Sequence, residues 1–216
     1  MIGALRARWR SASVSPRMIR FTRWRVEFAW RLRGSRVPPP HVVKQRAVLA
    51  YQRRGRFRTF VETGTFTGEM LAAMQPHFDR LISIELSPQI HERTRPRFAD
   101  DPRVTLLLGD SGIVLPQVLA TLDHPALFWL DGHYMGEGTA RAQLDTPVTQ
   151  ELAALLGHQV RGHVVLIDDA RLFDGTDGYP TIAEVRAQVE RERPGSALRV
   201  ESDIIRCVFD GPDTVS

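Results

Sequence analysis

Short apolar runs alternate with longer stretches in which apolar residues recur every three or four positions. The runs are Thr59–Glu62, Arg80–Glu85, Val104–Leu108, Ala126–Leu130 and His163–Ile167. They carry apolar residues at successive positions, which predicts strands buried on both faces. The stretches between them predict helices over 68–77, 88–98, 112–122 and 147–157. Ser87-Pro88 supplies an N-cap and a proline at the first helical position. Thr181 to Glu184 has the form of a capping box opening a further helix. Residues 197–202 and 204–209 predict an antiparallel pair. Upstream, 41–53 predicts a helix with Val42, Val43, Ala47, Leu49 and Ala50 as its apolar positions.

Five βα units of this kind require a mostly parallel sheet with helices on both faces. Right-handed crossovers make it a doubly wound, Rossmann-like α/β domain over 41–216, closed by the C-terminal antiparallel pair. Ligands in such sheets bind beyond the carboxyl ends of the strands. The residues that end each strand are therefore the candidate chemistry.

Charge divides the chain in two. Residues 1–40 hold ten arginines against one acid, Glu27, while residues 41–216 hold 19 basic and 24 acidic residues. The basic character belongs to an N-terminal arm, which ends at Pro38-Pro39-Pro40 and carries Trp9, Trp24 and Trp30. Over 17–33 its apolar residues share a broad arc, a basic amphipathic helix interrupted by Arg25 and Arg33. Three readings fit: docking of residues 1–37 on an anionic membrane or a protein partner, covering of the protein's own sheet, or a partly disordered tail. An arginine-rich, acid-poor start also has the character of an organelle transit peptide. The mildly acidic body argues against nucleic acid as a partner. The one cysteine, Cys207, suits a reducing, cytoplasmic setting, peripheral to a membrane if the arm docks there. No window approaches the ~18 apolar residues of a membrane span.

The first strand ends in Glu62-Thr63-Gly64-Thr65-Phe66-Thr67-Gly68. Gly64 would let backbone approach a ligand and Gly68 would let the following helix pack on the sheet. Any tight βα turn could also look like this, and the spacing is not the G-x-G-x-x-G of dinucleotide binders. Glu85, one βαβ repeat later, is placed to accept from ribose hydroxyls or to be a solvated strand-end acid. Asp110 and Ser111 lie where an adenine edge would lie, or cap the next helix, or both. Asp131 ends the fourth strand and Asp168-Asp169 the fifth. If these strands are neighbours, three carboxylates converge. A hard divalent cation such as Mg²⁺ would neutralise them, as would capping or pairing with arginine, Arg171 being nearest. His133, two residues past Asp131, is a candidate general base, a metal ligand or a loop histidine without a role. His158 and His163 lie at the far end of the fifth strand and read as structural. Loops 132–146 and 170–180 are expected over an acceptor, with Arg171 or Tyr179 touching it.

Taken together, VETGTFTGEM, LISIELSP, VTLLLGDSGIVLPQV, LFWLDGHY and GHVVLIDDAR resemble, in order and spacing, the class I S-adenosylmethionine-dependent methyltransferases. They are most similar to the small metal-dependent O-methyltransferases of the catechol type and the macrocin/mycinamicin sugar type. The resemblance implies that Glu62, Gly64, Phe66 and Gly68 line the methionine end of the cofactor. It implies that Glu85 holds the ribose, that Asp110 and Ser111 flank the adenine, and that Asp131, Asp168 and Asp169 bind the metal. Asp-Asp stands where the catechol type has Asp-Asn, and Tyr134 stands where it has its catalytic lysine. The base is therefore expected to be a histidine, His133, as in the sugar type. The implied activity is O-methylation of a carbohydrate or small-molecule hydroxyl. Two other readings remain at this point: a non-catalytic binding protein on the same scaffold, and a nicotinamide-dependent oxidoreductase. The second leaves the three aspartates idle.

Overall fold

The computed structural model describes residues 25–132 and 146–211. The elements are α1 (His41–Gly55), β1 (Thr59–Thr63), α2 (Glu69–Met74), β2 (Arg80–Glu85), α3 (Pro88–Thr94), β3 (Val104–Leu108) and α4 (Ser111–Leu119). They continue as β4 (Leu127–Leu130), α5 (Val148–Gly157), β5 (Val164–Ile167), α6 (Ile182–Glu192), β6 (Ala197–Glu201) and β7 (Ile204–Val208). The strands form one sheet in the order β3-β2-β1-β4-β5-β7-β6. The first five are parallel; β7 runs antiparallel to both β5 and β6. The doubly wound sheet with its C-terminal antiparallel pair is as expected.

Side chains alternate across the sheet, so each doubly apolar strand feeds two cores. Val61, Ile82, Phe128, Val165 and Ile167 face α4, α5 and α6, through Leu115, Leu152 and Val185. Phe60, Leu81, Trp129 and Leu166 face α1 and α2, through Val48, Tyr51, Leu71 and Met74. Each such side chain stabilises the fold by about 1.5–3 kcal/mol when taken from water.

The helices expected to reach 77 and 98 stop early, α2 at Met74 and α3 at Thr94, and each passes into a 3-10 turn, Gln75–His77 and Arg95–Arg97. Pro76 and Pro96 are the reason: neither can donate to a carbonyl four residues back, so the α ladder ends and a tighter turn takes over. The Ser87 cap forms, accepting from Ile90 N–H, and so does the Thr181/Glu184 capping box.

Helix α1 sits in a different phase from the one its aliphatic residues suggest. It buries Val43, Gln45, Ala47, Val48 and Tyr51, while Val42, Leu49 and Ala50 are half-buried. The line Lys44–Val48–Tyr51, spaced i, i+4, i+7, therefore lies along the sheet side. Before it, residues 25–32 are helical. The arm's one acid, Glu27, is buried and paired with Arg31 (3.0 Å) and with Arg46 of α1. That contact holds this part of the arm on the body, while Val26, Phe28 and Leu32 face outward. The remainder of the arm, 1–24, lies outside the described residues. Among the described residues, no helix is long and apolar enough to cross a membrane.

Candidate active site

The strand order reverses between β1 and β4: from β1 the chain builds outward to β3, and from β4 it builds the other way. Ligands in doubly wound sheets bind at such a switch point, and here the β1–α2 turn stands at it. Gly64 N–H donates to Ile84 carbonyl (2.9 Å) and Asp131 N–H to Thr63 carbonyl (3.1 Å), so the turn is laced to both neighbouring strands. Gly64 has φ +82°, and a Cβ there would stand 2.4 Å from the carbonyl oxygen of Asp131. The close approach that demands glycine is thus to the end of β4. At Gly68 a Cβ would meet the Phe98 ring at 2.7 Å and Thr94 at 3.1 Å. The helix packs through Gly68 on the α3 region rather than on the sheet, because α3 runs alongside it there.

Glu85 organises the same turn. Its carboxylate accepts from Phe66 N–H and from Ser87 N–H, both at 2.9 Å. Phe66, 54% exposed, is held at φ 46°, a conformation uncommon for a bulky residue. Its carbonyl accepts from Thr94 Oγ1 (2.8 Å). Strain of this kind concentrates at ligand sites. Glu62 lies beneath, fully buried, accepting from Ser83 Oγ (2.7 Å), which is itself 2.5 Å from Thr65 Oγ1. Burial pushes the Glu62 carboxyl up to about 8, against the Ser83 hydrogen bond and with help from Asp131 and Glu85. It is a neutral acid at neutral pH.

Asp110 caps α4, its carboxylate accepting from Gly112 N–H (2.9 Å), and Ser111 is buried in the first turn. A Cβ on Gly132 would lie 3.4 Å from Thr63 Oγ1, 3.5 Å from Ser111 Oγ and 3.6 Å from Glu151 Oε1. A ring of polar groups from β1, α4 and α5 therefore surrounds the end of β4. Glu151 and Thr63 are buried members of it that the strand-end reading did not single out.

Strands β4 and β5 are neighbours, so the Asp131 and Asp168-Asp169 ends adjoin. Asp168 is wholly buried and accepts from Asp169 N–H (2.9 Å) through Oδ1. Its Oδ2 is bound by the ammonium of Lys44, which also lies 3.6 Å from Asp169 Oδ1. Asp169, at φ 55°, receives Arg171 on Oδ1 (2.8 Å), and the same guanidinium binds Asp203. Burial and the charge of Asp131 push the Asp168 carboxyl up, while Lys44 draws it back. Burial works against the Lys44 ammonium, but Asp168, Asp131 and Asp169 outweigh it, and its pKa rises. Asp168 and Asp169 are thus already matched by two protein cations. Among the described residues, no three His, Cys, Asp or Glu side chains are arranged to hold a metal ion. The donors present do not fit Mg²⁺, because Lys44 stands where the ion's charge would be.

Lys44 is missing from the sequence reading, yet it is the only lysine in a chain with 29 basic residues. That singularity is the signal that could have found it. Arg171 is committed to Asp169 and Asp203. Tyr179 is buried, edge-on to Phe173 at 5.3 Å, as part of the core. His133 and Tyr134, with the rest of 133–145, lie outside the described residues. His158 and His163 are structural, stacked at the amino end of β5.

No family model matches the chain, and no curated protein matches it in sequence. Solved structures do. The O-methyltransferase TomG from Streptomyces achromogenes, involved in tomaymycin synthesis and determined with S-adenosylmethionine, is 17% identical. The match covers 88% of this chain and 89% of TomG, with a TM-score of 0.57. An O-methyltransferase from Bacillus cereus, in complex with S-adenosylhomocysteine, is 18% identical over 88% of this chain and 90% of its own, at 0.56. The Podospora anserina methyltransferase PaMTH1, also bound to S-adenosylhomocysteine, is 13% identical over 97% and 100%, at 0.57. The fold is that of the class I S-adenosylmethionine-dependent methyltransferases.

Proposed function

We propose that this protein transfers a methyl group from S-adenosylmethionine to a hydroxyl of a sugar or other small molecule. The reading is supported by the β1/β4 switch point, where the Gly64 turn, tied by Glu85 and carrying the exposed Phe66, stands at the carboxyl ends of the strands, with Glu62 beneath it, Gly68 closing the turn, and Asp110 and Ser111 after the third strand. Glu62, beneath that turn, supports it through Ser83 and Thr65. Glu85, with its carboxylate already fixed by two backbone N–H groups, has lone pairs left for ribose hydroxyls. The exposed Phe66 offers an apolar face. A nicotinamide-dependent reading has no use for the buried Asp168–Lys44 pair.

The donor is a sulfonium cation, and transfer is an in-line displacement. An O–CH₃ bond forms as the CH₃–S⁺ bond breaks, S-adenosylhomocysteine leaves neutral, and the hydroxyl proton passes to a base. His133 is that base in this reading. The acceleration comes from alignment of oxygen, carbon and sulfur. The divalent cation expected from Asp131, Asp168 and Asp169 has no step here, since the donor set does not fit it. Residues 1–37 remain a proposed membrane or protein-docking segment, supported by the outward Phe28, Val26 and Leu32. Calorimetry with S-adenosylhomocysteine tests the central point. Micromolar binding is expected, and absence of binding sinks the enzyme reading in favour of a scaffold. Undiminished liposome pelleting of a 1–37 deletion would reject docking through the arm.

A further inference from the structure

We propose that Lys44 is a resident cation in the place of a divalent metal, and that it makes the site metal-independent. The inference rests on the methyl-transfer reading but concerns the Asp168–Asp169 mouth rather than cofactor binding. Three observations carry it. First, one ammonium serves the carboxylates that a metal would bridge: Nζ binds Asp168 Oδ2 and lies 3.6 Å from Asp169 Oδ1. Second, other oxygens of the pair are engaged as well. Asp168 Oδ1 takes Asp169 N–H, and Asp169 Oδ1 takes Arg171 at 2.8 Å. A dication entering here would meet two fixed positive charges. Third, the chain uses arginine at every other basic position and lysine only here.

The third point has a physical reason. An ammonium is a compact point charge with three donors, whereas a guanidinium is a planar fork that demands room on both sides. Only the former resembles an ion in a small seat of oxygens. Lys44 is also tethered firmly enough to act as one. It lies on the line of α1 that continues into the buried Val48 and Tyr51, and its side chain is 15% exposed. The small exposed fraction leaves a path by which an acceptor could reach the pair. Lys44 is a positioning residue: it sets the orientation of Asp168 and Asp169 and supplies positive potential where an acceptor oxygen gathers negative charge.

The test uses the full-length protein and Mn²⁺ as probe. Mn²⁺ is titrated calorimetrically, and followed by its paramagnetic resonance, into wild type, Lys44→Met, Lys44→Arg and the double variant Lys44→Met/Asp168→Asn. Folding is checked by circular dichroism, and S-adenosylhomocysteine affinity is measured in each. Wild type is expected to bind no stoichiometric Mn²⁺ and to keep its S-adenosylhomocysteine affinity in chelator. Lys44→Met vacates the seat and is expected to gain about 100-fold or more in Mn²⁺ affinity. Lys44→Arg keeps the charge and gains none, and the double variant loses the gain. One Mn²⁺ bound by wild type and abolished by Asp168→Asn overturns the proposal. So does a folded Lys44→Met that binds no Mn²⁺. If Lys44→Met does not fold, the wild-type titration with its Asp168→Asn control decides alone. Failure of S-adenosylhomocysteine to bind in every arm would strike the methyltransferase reading and leave the metal result standing.

Discussion

The two ends of the sheet bury ionisable groups in opposite ways. At the carboxyl ends, Asp168 and Asp169 are ion-paired with Lys44 and Arg171. At the amino ends two histidines are held neutral beside a buried arginine. His163 Nδ1 accepts from Ala126 N–H (3.1 Å), so its neutral ring carries the proton on Nε2 and donates it to His158 Nδ1 (2.8 Å). Arg193 closes the cluster by donating to the carbonyls of Leu156 and His158. Burial, then the proximity of His158 and Arg193, pulls His163 down to about 4. The amino-end cluster consumes its own hydrogen-bonding capacity on backbone and neighbours, which is what a structural joint requires. The carboxyl-end cluster gathers buried ion pairs at the strand ends where ligands bind in such sheets, which is costly for stability alone and makes sense as chemistry.

That contrast can be broken at one end without touching the other. Gly64→Ala forces a Cβ against the Asp131 carbonyl at a left-handed position. It is expected to cost about 3 kcal/mol or more and to abolish S-adenosylhomocysteine binding, read by thermal unfolding and calorimetry. Asp168→Asn keeps an acceptor for Asp169 N–H but removes the charge that holds Lys44. Turnover is expected to fall about 100-fold with S-adenosylhomocysteine affinity nearly unchanged; unchanged turnover would remove the mouth from the mechanism.

The pH dependence separates the two ends by sign. The folded pKa of Glu62, about 8, lies above its ordinary value of 4.5, so the folded state holds the proton longer. The associated stability is lost as pH rises from 4.5 through 8. The folded pKa of His163, about 4, lies below 6.5, so its contribution is present above 6.5 and lost as pH falls toward 4. The two limbs are expected to reach about 5 and about 3 kcal/mol respectively. Denaturation across pH should show Glu62→Gln flattening the alkaline limb alone and His163→Asn the acid limb alone. A variant that flattens both limbs would show that the two ends are not independent. The smallest effect belongs to neither end: Thr181→Ala removes half the capping box and is expected to cost about 1 kcal/mol in urea denaturation.

Much of this was legible in the sequence, and the failures have physical causes. The span of β2 matches its apolar run because every second residue meets a helix layer; β3 matches in extent but, as the edge strand, is only half-buried, with Thr105 and Leu108 exposed, against the expectation of burial on both faces. Helix ends were misplaced where Pro76 and Pro96 turn an α ladder into a 3-10 turn while the apolar pattern runs on. The acids Asp131, Asp168 and Asp169 were placed at one mouth because strand ends in a doubly wound sheet are predictable. What neutralises them was not, because Lys44 comes from a helix 124 positions away from Asp168. Its reach depends on the phase of α1, which Val42 and Leu49 suggested wrongly. Gln45 is buried in that helix and Leu49 only half so, against their hydropathies. Tyr179, placed by its loop near an acceptor, went into the core instead, since its ring finds Phe173 before it finds solvent.

The solitary lysine has a practical consequence. A protease that cuts only after lysine has one target bond in this sequence, Lys44–Gln45, and that bond lies within the first turn and a half of α1. The scissile backbone is helical, and the side chain a protease must grip is bound to Asp168. Cleavage therefore requires α1 to lift from the sheet and Lys44 to leave the mouth in the same event. Digestion rates under native conditions would report the frequency of that opening, one cut for each molecule. A ligand that binds across the switch point and holds α1 down would be seen as protection, with no label added to the chain.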